Sequence, residues 1–281
     1  MKLVDFKIPT RLDEARGILK QLGSTALPLA GSTSLVFAAG KDDRVAVDIT
    51  RLGLHGIRKE SGIFRIGATT TIAALQNHHE DGWVLDRVAK HLASQQIRNS
   101  STIGGNIVRV FPWADFPVVL LALNAEMIIA GDDGERTVTA DEFFSGQPTR
   151  LLKAGELLVA VKVKAVPLGS GFGYRKEVRA HMGFSVMTAA AVLEADGKKI
   201  KSARVAVGAG VPFPARLKAV EDALIGKPAS ESLFGETAAR GAEGLKVKSA
   251  VGNTDEYTAH LAPVVIGDAL GDAWKETGTK S

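Results

Sequence analysis

The 281-residue sequence contains no cysteine. That absence excludes disulfides, thiolate zinc sites, a cysteine nucleophile and any iron–sulfur cluster ligated by this chain, and it fits a reducing, cytoplasmic setting. No stretch approaches the roughly 18 apolar residues of a membrane-spanning helix. The opening MKLVDFKIPT also lacks the apolar centre of a signal peptide, so a soluble chain is expected. Charge of one sign is scarce: 35 Lys and Arg face 31 Asp and Glu, a net charge of +4. That excess is spread too thinly for nucleic acid. The densest basic stretch, Lys198, Lys199 and Lys201, follows Asp196-Gly197 and reads as the solvated tip of a hairpin. The standard nucleotide fingerprints are missing as well. No GxGxxG follows the first expected strand and no GxxxxGK[ST] occurs, which disfavours the Rossmann and P-loop readings. There is no GxSxG elbow, no internal repeat and no low-complexity segment.

What is present alternates strand and helix patterns. Residues 2–8 read as a strand, and Thr10 stands as an N-cap three residues before Asp13. Leu12, Ala15, Leu19 and Leu22 then share one helical face that Gly23 terminates. Strands over 26–30 and 45–49 complete a small α/β unit. A second unit follows, with strands over 63–68, 127–130, 135–139 and 156–163 and helices over 71–77, 84–92 and from Asp115 through 118–123. Residues 97–106 interrupt the helical period with a glycine pair. Gly169, Gly171 and Gly173 read as the most flexible stretch, and the domain boundary is placed there. Strands over 184–194 and 203–208 and helices over 216–225, 232–245 and 255–274 make up the remainder.

Two segments carry chemistry: residues 29–35, LAGSTSL, and residues 101–107, STIGGNI. Each combines glycine, which lets a backbone approach a ligand closely, with Ser, Thr or Asn side chains that hydrogen-bond. Such loops present a row of N–H groups able to cradle a pyrophosphate with few charges. With 30 glycines in the chain, either loop alone reads more readily as an ordinary turn. Two of them on different α/β units suit an extended dinucleotide held between subdomains. The other candidates are weaker. His78 and His79, adjacent on a helix, are about 100° apart and poorly placed to share a metal. Asp42-Asp43 and Asp132-Asp133 read as solvated turn residues. His181 lies near the segment around Lys176 and is a minor candidate for ligand contact.

Taken together, AGSTSLV (30–36), RIGATTTIAAL (65–75), IRNSSTIGGNI (97–107), WADFPVVLLALNAE (113–126), YRK (174–176) and the later GFSVMTAAAVLEADG and VAVGAGVPFPARL resemble the FAD-binding medium subunit of the molybdenum hydroxylases, the xanthine dehydrogenase and carbon monoxide dehydrogenase family. The resemblance implies an α+β architecture. A two-subdomain FAD-binding fold of the vanillyl-alcohol oxidase type would occupy 1–170 (about 1–55 and 56–170), followed by a small C-terminal α/β domain with an antiparallel sheet over 171–281. It further implies that Ala30, Gly31, Ser32, Thr33, Ser34 and Leu35, with Thr102, Ile103, Gly104, Gly105 and Asn106, hold the FAD pyrophosphate and approach the flavin. Asp115 would reach the adenosine part and Lys176 would lie near the flavin. From the residues alone, Asp115 could equally cap the helix it starts, and Lys176 could be a solvated strand end.

FAD would be bound without a covalent link, and no residue of this chain would be catalytic or metal-ligating. A large molybdopterin subunit and a small subunit with [2Fe–2S] clusters are the implied partners. NAD, a quinone, ferredoxin or oxygen would be the external acceptor. A free-standing FAD-dependent reductase or oxidase on the same fold, or a cofactor-free scaffold, are the rival readings. The chain departs from the family at Ser32, where most members carry a second glycine, and after Lys176, where it has fewer Arg and Asp.

Overall fold

The computed structural model describes residues 2–34, 42–180, 182–249 and 252–278. Three sheets organise them. The first is parallel, with strands β1 (Lys2–Lys7), β2 (Ala26–Leu29) and β3 (Asp43–Asp48) in the order β1-β3-β2, and helix α1 (Leu12–Leu22) as the crossover between β1 and β2. The start of α1 differs from the expected capping. Arg11, not Thr10, occupies the cap position without a side-chain cap, and the Glu14 carboxylate reaches back to accept the Thr10 N–H at 3.1 Å. An acid inside the first turn therefore closes the helix start. Gly23 ends the helix with φ +54°. Asp43, expected in a turn, opens β3. Ala15 and Leu19 of α1, with Val47 and Ile49, form a small core against the second sheet.

That second sheet contains β4 (Ile57–Glu60), β5 (Ile63–Gly67), β6 (Glu126–Gly131), β7 (Gly134–Thr139) and β8 (Leu157–Lys164), antiparallel in the order β4-β5-β8-β6-β7. Short helices cover it: α2 (Ile72–Asn77), α3 (Leu85–Ala89), α4 (Gln95–Ser100), α5 (Ile103–Val108), α6 (Phe116–Ala122), α7 (Ala140–Phe143) and α8 (Pro148–Leu151). Residues 97–106, expected to break the helical period, instead fold as α4 and α5. Ser94 and Thr102 cap the two helices by accepting the N–H groups of Ile97 and Gly105. His78 and His79 lie beyond the end of α2, where His78 packs on Trp83 with ring centroids 4.6 Å apart.

The third sheet is antiparallel, β12-β11-β10-β9, from β9 (Ser170–Val178), β10 (Ser185–Asp196), β11 (Lys199–Gly208) and β12 (Ala215–Arg216). Helices α9 (Lys218–Leu224), α10 (Glu231–Glu243) and α11 (Asp255–Gly278) follow it. Strand β10 is an apolar run buried on both faces, its successive side chains entering different cores. Met187, Ala189, Ala191 and Leu193 enter the core with α9 to α11, while Ala190 and Val192 enter the core that contains α6. Small residues at 189–191 let both layers approach.

Gly171 and Gly173 are not a flexible stretch. They lie on one face of β9, and a Cβ at either would sit 1.9 Å from a carbonyl oxygen of α11, Ala273 and Ala269 respectively. Glycine is there because the helix backbone occupies the side-chain space. Gly173→Ala is therefore expected to destabilise the fold by about 1–3 kcal/mol through overpacking, measured as a lower urea midpoint. An unchanged midpoint would show that α11 can move aside freely.

Candidate functional site

A cleft of about 1290 Å³ runs between the first two units and the third sheet, and both glycine segments line it. It exceeds the roughly 300–1,000 Å³ of an ordinary small-molecule pocket and suits an extended ligand. The two segments contribute differently.

In the first, Gly31 is a packing residue: a Cβ there would lie 1.8 Å from the Ser100 carbonyl oxygen at the end of α4. Thr33 and Ser101 share a hydroxyl–hydroxyl hydrogen bond of 3.0 Å that ties the two segments together. Ser32, held between them, has φ +56°, the left-handed region glycine favours. The N–H groups of Gly31, Ser32, Thr33 and Ser34 have no acceptor among the described residues. Ala30 lines the same wall, and Leu35 lies outside the described residues, as does His181.

The second segment does not present a free row of N–H groups. Ile103 donates to the Thr70 carbonyl at 3.0 Å, Gly104 to Ala68 at 2.9 Å, Gly105 to the Thr102 hydroxyl at 3.1 Å and Asn106 to the Thr102 carbonyl at 3.0 Å. Packing against Ala68 and Thr70 and the Thr102 cap consume these donors. What the segment offers the cleft is the open Cα of Gly105, whose added Cβ would meet only the Thr102 hydroxyl, and the Asn106 side chain. The Asn106 Oδ1 atom is buried without a hydrogen-bond partner among the described residues, so this wall holds a polar group awaiting a ligand or water.

Asp115 and Lys176 meet on another part of the cleft lining. Asp115 is 3% exposed. Its Oδ1 accepts from Ser185 Oγ at 2.6 Å and Thr188 Oγ1 at 3.0 Å, and its Oδ2 accepts from Lys176 Nζ at 3.0 Å. The Lys176 ammonium also donates to the His91 carbonyl at 3.2 Å. Asp115 makes no capping bond to α6, and Lys176 is largely covered, its side chain 11% exposed, rather than a solvated strand end. Both residues line the cleft, with their charges already matched to one another. The Tyr174 hydroxyl lies buried nearby. Burial, and secondarily the Asp115 charge, push its pKa well above the usual tyrosine range, so it stays protonated.

An aromatic wall was not picked out from the sequence. Phe111 and Trp113 stack with centroids 5.1 Å apart, Phe184 packs on Trp113 at 4.4 Å, and the Arg109 guanidinium lies over Phe111. All four residues line the cleft. The signal available beforehand was the pair of aromatic residues two positions apart just ahead of Asp115.

Residues 3–165 match the family described as the FAD binding domain in molybdopterin dehydrogenase, and residues 172–273 match the CO dehydrogenase flavoprotein C-terminal domain. The chain belongs to the FAD-binding medium-subunit family of the molybdenum hydroxylases. It is 32% identical to the carbon monoxide dehydrogenase medium chain of Hydrogenophaga pseudoflava over 96% of both chains. It is 30% identical to the 6-hydroxypseudooxynicotine dehydrogenase complex subunit alpha of Paenarthrobacter nicotinovorans, over 96% of this chain and 94% of that one. The solved carbon monoxide dehydrogenase of H. pseudoflava, in a form lacking the Mo-pyranopterin moiety of its molybdenum cofactor, superimposes with a TM-score of 0.91 at 31% identity, covering 98% of each chain.

As a member of this family the chain is the flavoprotein component of an oxidoreductase, with an FAD-binding domain followed by a C-terminal domain built on an antiparallel sheet. FAD fits the residues in place. The cleft is large enough for a dinucleotide, four N–H groups without an acceptor among the described residues can meet its phosphates, the aromatic wall can meet its planar rings, and the buried Asn106 oxygen is a polar atom left unpartnered beside it. Among the described residues no group of three or more His, Asp or Glu is placed to hold a metal ion, and no helix is long and apolar enough to cross a membrane.

Proposed function

We propose that this chain is the electron-transfer subunit of a cytoplasmic molybdenum hydroxylase complex. It would receive electrons from [2Fe–2S] clusters on a small partner subunit and pass them to an external acceptor, while organic substrate is oxidised at a molybdopterin centre on a large subunit. The observation that carries this reading is the large cleft with N–H groups at 31–34 that have no acceptor among the described residues. When bound there, FAD supplies the redox chemistry. The protein binds and orients it: the first loop meets the pyrophosphate, Gly105 and Asn106 approach the flavin, and the Asp115–Lys176 pair closes the far wall. Residues 1–170 would form the FAD-binding domain, and 171–281 the domain that holds Lys176 and Phe184 against it.

Two features support a relay rather than a substrate-oxidising role. The chain has no cysteine with which to ligate a cluster of its own. Its similarity is also nearly equal to relatives named for carbon monoxide and for a nicotine derivative, which share no recognition chemistry. The determinant of substrate then lies on another chain.

Purified protein is expected to release one FAD per chain into the supernatant on acid denaturation. Dithionite should bleach the bound flavin anaerobically, while candidate substrates such as aldehydes, purines, N-heterocycles or carbon monoxide should not until the partner subunits are added. Absence of FAD would favour a scaffold. Full bleaching of the lone chain by an organic substrate would favour a free-standing flavoenzyme.

A further inference from the structure

We infer that the Ser32 hydroxyl is itself a ligand-binding group, donating to a phosphate of the bound dinucleotide, and that the left-handed backbone at this position serves that contact. The inference rests on the FAD reading of the cleft. On either side of Ser32 the loop is held by the protein: Gly31 is pressed onto the Ser100 carbonyl, and Thr33 is hydrogen-bonded to Ser101. Between these two anchors Ser32 has φ +56°. Glycine would accept that conformation without cost, whereas a residue with a Cβ is strained there.

Packing against the described residues gives no reason for a side chain at 32. Ser32 is exposed within the cleft, and among the described residues its hydroxyl makes one hydrogen bond, a long one of 3.4 Å to the Ala30 carbonyl. What a serine adds over glycine is one rotatable O–H donor, beside four N–H groups that have no acceptor among the described residues. Arg44, Arg109, Lys153 and Lys176 reach the cleft from other segments, but residues 29–35 carry no cation. A phosphate bound there would be met by hydrogen-bond donors, and a fifth donor strengthens that set.

The test uses apoprotein with Ser32→Ala, Ser32→Gly and Ser32→Asn, read by FAD and riboflavin titration and by the thermal midpoint without ligand. Ser32→Ala should weaken FAD binding about tenfold, the effect of losing one charge-assisted hydrogen bond. Its affinity for riboflavin, which has no phosphate, should not change. Ser32→Gly should lose FAD affinity to a similar degree although its midpoint holds or rises by about 2 °C as strain is relieved. Ser32→Asn, which tolerates positive φ and carries a donor, should stay within about threefold of the parent. Unchanged FAD affinity in both the Ala and Gly variants would overturn the inference. So would an equal loss for riboflavin, or a drop of more than about 4 °C in the Ala midpoint, which would assign the hydroxyl to the loop's own stability. A parent protein that binds no FAD would instead overturn the reading beneath it.

Discussion

Asp115→Ala is expected to cost the folded protein about 3–5 kcal/mol, the loss typical of removing one member of a buried ion pair. Lys176 keeps 11% of its side chain exposed and would be left with only the His91 carbonyl, while Ser185 and Thr188 would lose their common acceptor. Against a typical total of 5–15 kcal/mol, that loss is enough to lower the urea midpoint substantially. The effect should reach beyond the pair because Asp115 heads α6, whose other end is held from the same sheet: Arg204 donates to the Ala122 carbonyl at 3.0 Å and Arg216 to Leu121 at 3.5 Å. Arg216 is itself fixed by Glu221 at 2.6 Å. The third sheet thus grips α6 at both ends, and the cleft wall depends on the grip. The double variant Asp115→Ala/Lys176→Met should recover much of the lost stability, since no buried ammonium is then left unpaired. Equal midpoints for the single and double variants would show that the pair is not coupled.

The strand and helix order was legible because periodicity records burial: the α1 stripe of Leu12, Ala15, Leu19 and Leu22 and the apolar run in β10 point to their cores directly. The Asp115 cluster was legible only as two separate residues. Ser185 and Thr188 are three apart, so regular alternation would put them on opposite faces of a strand. The register shift between Ser185 and Met187 brings both hydroxyls to the same carboxylate, and no pattern in the sequence announces a bulge. Glycine was ambiguous for a similar reason. Gly31, Gly104, Gly171 and Gly173 are small because another segment's backbone approaches them, and that neighbour is distant in sequence. The same composition that suggested an open phosphate loop at 102–106 came from a capped helix whose donors are already engaged. At Ser32 the sequence showed a departure from the family, and only the backbone angle showed its form.

Substituting the two adjacent glycines of α5 should give opposite phenotypes. A Cβ at Gly104 would lie 2.6 Å from the Ala68 carbonyl and 3.0 Å from the Ala68 Cβ, inside the core. Gly104→Val is therefore expected to destabilise the fold by at least about 1–3 kcal/mol, because the Gly104 N–H to Ala68 bond cannot survive the displacement that relieves the clash. At Gly105 the same atom meets only the Thr102 hydroxyl at 3.0 Å, and the residue is exposed in the cleft. Gly105→Val should leave the unfolding free energy within about 1 kcal/mol of the parent, as replacing glycine in a helix is not itself unfavourable. On the proposed placement of the flavin beside α5, the isopropyl group would enter its space and FAD affinity should fall about a hundredfold, roughly 2.7 kcal/mol. The two measurements, chemical denaturation of apoprotein and FAD titration, separate the roles. Stoichiometric FAD in Gly105→Val at parental affinity would mean the flavin does not approach α5, and the second segment would then serve only to cap and pack.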